Sequence, residues 1–498
     1  MMNVSTTGQG TGFGPERALR IAVVLLAVYV GFIGVFGFFH GNVHTGDTDN
    51  LVQGTRTAVE CLRHGHFRGC GLTPGTRASA VFPYPFLQYV PATLLVQVGL
   101  SDAHVLRSLA AISFLAYAAS FVLLLRAGRR LGGRLWTPAL LIVMLTGPFP
   151  YYAVSSFGEM LAASVVLAAA AAALSRRTKL TIALVLVASL AKETFPPFVA
   201  ALAMLIVWRV ETDRGIRRRS YFGIGIACFA ALLVNFGFNV FRYATWRNLN
   251  YLSPEFNVPI PRRLDFLAML LFAPQGGLLW FWPAALLILG LLAASLWAVS
   301  RNAGARDEII ARVLLLLVWS GFFAGLASWV SPFGWISWGP RLALPLLPAL
   351  IVASVVVGGD PLSAIVRTLF RWKVIAVGLA ITLAAAALPQ FALPWTHAQA
   401  IQPLLAADST CPSIFDTPVQ KGREIYFRCT SHLAWRLRPN QLSYSVKAGS
   451  WQAWEARVLG LACCLALFAA ARFAIRTAPR ERRCEPELAG TVSSDDSL

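Results

Sequence analysis

The sequence predicts an all-α polytopic membrane protein with about 12 transmembrane helices and surface helices in its first extracytoplasmic loop. Composition is the first reason. Of 498 residues, 57% are hydrophobic and 13% charged, and the mean hydropathy is +0.62; a soluble domain carries roughly twice that charge. Second, apolar runs of about 20 residues recur from end to end, the length of helix that crosses a bilayer core about 30 Å thick. Third, basic residues gather in short clusters between those runs: Arg126/Arg129/Arg130/Arg134, Arg176/Arg177/Lys179, Arg217/Arg218/Arg219 and Arg480/Arg482/Arg483. Cytoplasmic loops carry that signature. The formal net charge of +20 is therefore topological. Neither a zinc-finger spacing nor a basic–aromatic platform points to nucleic acid.

The elements follow in chain order. Residues 1–19 form a cytoplasmic tail, and 20–39 are too long for a signal core and lack a small-residue cleavage site, so they read as a retained first helix. Further helices are expected at 105–125, 135–152, 159–174, 180–191, 197–208, 220–241, 278–300, 310–330, 342–358, 374–393 and 454–472. Residues 20–393 make up the transmembrane core, and both termini lie in the cytoplasm of a bacterial inner membrane. Two segments force a choice. Counting 84–100 as a span would put RAGRRLGGR outside, so it reads as an interfacial or re-entrant piece of the external loop 40–104. One kinked helix over 180–208 would put RGIRRRS outside, so two short helices are expected, with Lys192, Glu193, Thr194, Phe195, Pro196 and Pro197 at their outer tip. Charge and broken backbone at that depth survive only when buried in protein or facing a wet cavity.

The other external segments are 242–277, 331–341 and 394–453; the tail 473–498 is polar and expected to be disordered. In the first loop Leu51, Val52, Thr55, Ala58, Val59 and Leu62 share one helical face, which predicts an amphipathic helix lying on the membrane. Cys61/Cys70 and Cys411/Cys429 face an oxidising compartment on this topology, either as two disulfides or as four thiols. Cys228, Cys463 and Cys464 read as packing residues. No internal repeat is visible.

The candidate chemistry sits in the external segments. Asp47 and Asp49 just outside the first helix form either a general base with a supporting acid, a pair sharing a divalent cation, or a cap on the helix that follows. Lys192 at the hairpin tip is a candidate phosphate grip, with Glu193 orienting it or binding a sugar hydroxyl; the bland alternative is a local ion pair at the headgroup level. Glu159 opens a helix at the same surface and serves either substrate or helix dipole. Arg341, preceded by Trp335 and Trp338, offers a guanidinium for a phosphate and indoles for a sugar, against the alternative of an ordinary aromatic belt. The Gly-rich turn in APQGGLLWFWP is a weaker anion-site candidate. His40, His44, His64 and His66 show no metal-binding spacing.

Gly46–Asp49, Lys192–Glu193, Pro274–Pro283 and Trp338–Arg341, in that order and on one side of the membrane, resemble bacterial GT-C superfamily glycosyltransferases over roughly residues 20–395. The same motifs occur in a neighbouring family of unassigned bacterial membrane proteins. The resemblance implies a transferase that moves a sugar from a polyprenyl-phosphate donor to a glycan, lipid or protein acceptor outside the cytoplasm, with inversion. It implies Asp47 as the base and Asp49 as its support or as a metal ligand. The C-terminal part departs from the family, because only 394–453 and a final helix stand where many relatives carry a large soluble domain. A transporter or flippase of a lipid-linked or anionic solute is the rival reading. It needs no external acid pair and would favour inverted repeats. A scaffold or polymerase-type subunit of an envelope-assembly complex is the third.

Overall fold

The computed structural model describes residues 46–70, 86–130, 147–152, 158–249, 257–274, 276–301, 305–331, 333–334 and 339–371, with 424 and 427. The expected helices 20–39, 374–393 and 454–472, most of 135–152, and the Cys411/Cys429 pair lie outside these residues. Among the described residues there is no strand; the elements are helices. They are α1 Gly46–Arg63, α2 Phe86–Gln97, α3 Asp102–Arg130, α4 Phe149–Tyr152, α5 Gly158–Leu174, α6 Thr178–Ser189 and α7 Pro196–Val210. Then come α8 Arg214–Tyr243, α9 Arg263–Phe272, α10 Leu278–Phe281, α11 Pro283–Ser300, α12 Arg306–Ala327 and α13 Leu347–Arg371.

Five of them (α3, α8, α11, α12 and α13) are long and apolar enough to cross a membrane. The burial pattern of α8 shows why this is a multi-pass membrane protein. Its inward stripe carries Ser220, Ala227, Ala231, Asn235, Asn239 and Arg242, whereas Phe222, Ile226, Phe229 and Leu233 are exposed. A soluble helix would turn those phenylalanines inward. Here the polar groups turn into the bundle, where Asn235 Nδ2 donates to the Ser189 carbonyl at 3.4 Å, and the apolar ones face outward, as lipid requires.

The centre of the bundle is α5. Its alanine-rich run is buried on nearly every side, and small side chains let neighbouring backbones approach closely without a hydrophobic driving force. Helices α3, α6, α7 and α13 pack around it. The hairpin expected over 180–208 is present as α6 and α7. Pro196 and Pro197 start α7 where a missing backbone N–H costs nothing, and Phe195, buried at the turn, anchors the tip.

Four outcomes differ from the expectation. Residues 278–300 are not one helix: the chain breaks at Trp282 (φ −151°) and restarts at Pro283. Residues 342–358 begin as a 3-10 turn, Arg341–Ala343, and become helical only at Leu347. That helix kinks at Gly359 (φ 54°), a backbone conformation side-chain-bearing residues rarely adopt. An unforeseen helix, α9, lies in the segment 242–277. Finally, the apolar face of α1 meets protein rather than lipid. Leu51, Val52 and Ala58 pack with Tyr89 and Ala92 of α2, Val105, Leu106 and Leu109 of α3, and Phe238 and Phe241 of α8. Leu62 alone of that expected face is exposed. A disulfide joins Cys61 to Cys70 within this unit.

Charged groups collect at the two ends of the bundle. At one end, hereafter the tip, stand the α6–α7 turn, the start of α5, Arg341 and the end of α8. The first-loop helices join it there: Leu87 N–H donates to the Leu190 carbonyl at 3.2 Å and Gly69 N–H to Val240 at 3.2 Å. At the other end, the base, Glu308 of α12 takes Arg209 of α7 and Arg312 of its own helix. Arg312, wholly enclosed, also donates to the Gly358 carbonyl at 2.9 Å and to Ser295 Oγ at 3.2 Å.

Candidate functional site

Two charged groups at the tip come from residues far apart in sequence. Glu159 sits in the first turn of α5. Arg341 opens the 3-10 turn after Pro340. The Arg341 Nε lies 3.4 Å from Glu159 Oε1, with the two side chains 6% and 19% exposed. Space around the pair is tight. A Cβ on Gly334, whose φ is +93°, would stand 2.8 Å from Arg341 Nε. A Cβ on Gly158 would overlap the Gln88 amide of α2. Glycine at 334 therefore seats the guanidinium, and glycine at 158 lets the first-loop unit touch the start of α5.

Lys192 lies in the turn beside them. It is half-buried, and among the described residues its side chain makes no ion pair or hydrogen bond; its carbonyl accepts Phe195 N–H at 2.9 Å. Withdrawal from solvent pushes its ammonium below the ordinary lysine value. The Glu159 carboxylate opposes that shift, Arg341 adds to it, and Glu193 opposes it. Lys192, Glu159 and Arg341 thus form one electrostatic group. A desolvated ammonium beside a compact acid–guanidinium pair has the chemistry to hold an anion.

Glu193 faces elsewhere. Its carboxylate accepts Asn248 Nδ2 at 2.8 Å, Asn239 Nδ2 at 3.3 Å, and the Arg242 guanidinium. Arg242 is fully buried, stacked 4.4 Å over the Phe238 ring and 4.9 Å over Tyr243. This network ties the hairpin tip to the end of α8. Sequence reasoning missed Arg242, Asn239 and Asn248, although Asn235, Asn239 and Arg242 on one stripe of an apolar helix were a signal that could have found them.

The other expected residues divide as follows. Asp47 and Asp49 lie in the first turn of α1, and their side chains fall outside the described residues, as do Trp335 and Trp338. The Gly-rich turn is not an open anion cradle: Gly276 and Gly277 N–H both donate to the Ala273 carbonyl, at 3.3 and 2.7 Å. Glycine is needed there because a Cβ at 276 would meet the Phe333 ring at 2.7 Å. Among the described residues no three His, Cys, Asp or Glu side chains come together to hold a metal ion.

An apolar groove of about 590 Å³ runs between α7 and α12. It starts at Pro197 and Phe198, just beyond the Lys192 turn, and continues to Trp208 and Asp307 near the base.

Fold and site together define a multi-pass helical membrane protein with a buried acid–cation cluster at one end of its bundle. Two crystal structures similar to it are those of ArnT from Cupriavidus metallidurans. The apo state has 16% identity and a TM-score of 0.47, covering 92% of this chain and 76% of that one. The form bound to undecaprenyl phosphate has 16% identity and a TM-score of 0.46, covering 92% and 77%. No protein-family model matches the chain, and no curated protein does.

Proposed function

We propose that the chain is an integral-membrane glycosyltransferase that moves a sugar from a polyprenyl-phosphate donor to an envelope acceptor on the extracytoplasmic side. One observation carries the reading: the half-buried Lys192 ammonium beside the Glu159–Arg341 pair, on the turn that leads into α7, whose Pro197 and Phe198 begin an apolar groove. A lipid-linked phosphate needs both features, a desolvated cation at the headgroup plane and an apolar path for its chain. In this reading Lys192 and Arg341 hold the phosphate and Glu159 fixes the guanidinium. Asp47 of α1 takes the acceptor hydroxyl proton as the hydroxyl oxygen attacks the anomeric carbon. The bond from that carbon to the phosphate oxygen breaks, its electron pair stays on the phosphate, and the configuration inverts. The cations stabilise this departing charge more than the ground state, the kind of interaction whose loss costs roughly 10²–10³-fold.

The test is transfer by purified protein in detergent from a radiolabelled polyprenyl-phosphate sugar, with and without a chelator. Release or transfer of the sugar is expected from the wild type, at least about a hundredfold less from Lys192→Met, and none above background from Asp47→Asn. A wild type inert with every donor tried, yet moving the intact lipid between leaflets of a vesicle, is a transporter. Unchanged turnover in Lys192→Met removes the tip cluster from the chemistry.

A further inference from the structure

The base end carries a second charged feature that the transferase reading does not use. Residues Arg176 and Arg177 connect α5 to α6, whose first turn carries Lys179, while Arg214 and Arg217–Arg219 open α8. Distant in sequence, the two groups are brought together by the packing of α6 on α8, where Thr178 Oγ1 and Ser220 Oγ lie 3.1 Å apart. Beside the first group lies a depression of about 640 Å³ walled by Arg176, Arg177, Thr178, Lys179 and Glu211, with Leu180 and Ile216 as its apolar part. Arg176 adopts a left-handed backbone (φ 57°) at the turn. Glu211 is committed to the backbone, accepting Asp213 N–H at 3.1 Å. The charge therefore stands directly against apolar surface. Along α8 above it Phe222, Ile226 and Phe229 are 72%, 53% and 62% exposed.

We infer that this depression binds the headgroup of an anionic phospholipid of the cytoplasmic leaflet, with its acyl chains lying along the exposed face of α8. Orientation by positive charge alone would be served by basic residues anywhere in the two loops. It does not require Arg176, Arg177 and Lys179 to share one recess with Leu180 and Ile216. The occupant follows from that juxtaposition: guanidinium forks match phosphate oxygens, and basic recesses between helices at this level suit lipid phosphates. A soluble anion would use the charges and leave Leu180 and Ile216, the apolar wall of the recess, without a role.

Native mass spectrometry of the purified full chain tests this, with phosphatidylglycerol or phosphatidylethanolamine supplied in the micelle. Phosphatidylglycerol should be retained and phosphatidylethanolamine should not. In Arg176→Gln/Arg177→Gln/Lys179→Gln the retention should fall about a hundredfold, from the contribution typical of three basic groups near a lipid surface. Lysine at 176 and 177 should restore most of it. Equal retention of the two lipids by the wild type, or unchanged phosphatidylglycerol retention in the triple variant, overturns the proposal. Where the variant does not fold, the wild type decides. Retention should weaken as salt is raised to about 1 M, where screening shortens to roughly 3 Å. Salt-independent retention, or displacement by inorganic phosphate at the lipid's own concentration, refutes the lipid site.

Discussion

Lys192 is a residue whose surroundings set two opposite pH responses. Its folded-state pKa lies below the ordinary lysine value, burial being the first cause. The unfolded chain keeps the proton up to about 10.4. Between the folded value and that one the unfolded state binds more protons, so stability rises with pH across the window and is lost as pH falls through the folded pKa. Activity runs the other way. If the ammonium grips phosphate, transfer declines as pH rises through the depressed pKa. Arginine, which stays charged to pH above about 12, should move that alkaline limb upward in Lys192→Arg. The expected outcome is a pH–rate profile of kcat/KM whose alkaline limb shifts in Lys192→Arg. Superimposable alkaline limbs would mean that another group titrates there. Single residues also mark what the sequence makes legible. Lys192 stood out because a charge at a broken apolar helix demands a reason. The glycines at 276 and 277 misled, because glycine reports a close approach without saying to what; here it is Phe333 and the Ala273 backbone, not a ligand.

At the scale of elements, the hairpin tip is held by its own counter-charge. Glu193 and Arg242 join α7's approach to the end of α8, and Arg242 is wholly enclosed. Removing one partner of such a pair leaves an uncompensated buried charge, costing about 3–5 kcal/mol, whereas removing both is far cheaper. Arg242→Met should therefore lower the thermal unfolding midpoint in detergent strongly, and Glu193→Gln/Arg242→Met should recover most of the loss. Additive losses in that cycle would show that the two side chains act independently. The halves of this network differ in how readable they were. Two prolines and two half-length apolar runs predicted the hairpin, since proline begins helices well and interrupts them badly. The stripe on α1 predicted that one face is covered. It did not say by what, and the cover is α2, α3 and the end of α8 rather than lipid. Periodicity records a buried face; the partner is fixed by long-range packing, which one chain's pattern does not encode. The same limit hid Arg209, Glu308 and Arg312, whose meeting at the base depends on α7 and α12 lying side by side.

For the whole molecule, the charge distribution gives the bundle a direction. The base carries Arg176, Arg177, Lys179, Arg214 and Arg217–Arg219; the tip carries a compact cluster of mixed sign with the first-loop unit packed on it. Positive charge resists translocation, so the orientation expected, and required by the proposed function, is base in the cytoplasm and tip outside. Thr194 and Thr212 are both exposed, one at the tip turn and one at the base between α7 and α8, which makes them opposite reporters joined by a single short helix. In a background freed of other reactive thiols, Thr194→Cys should label with a membrane-impermeant maleimide in intact spheroplasts, and Thr212→Cys only after permeabilisation. α7 has 15 residues, about 22 Å at 1.5 Å per residue, shorter than a bilayer core about 30 Å thick. On the proposed orientation this shortness draws the tip toward the level of a lipid phosphate. Slower labelling at 194 than at a loop position such as His64 is the further expectation. Labelling of Thr212→Cys from outside would invert the molecule, and would place the tip cluster where no extracytoplasmic acceptor could reach it.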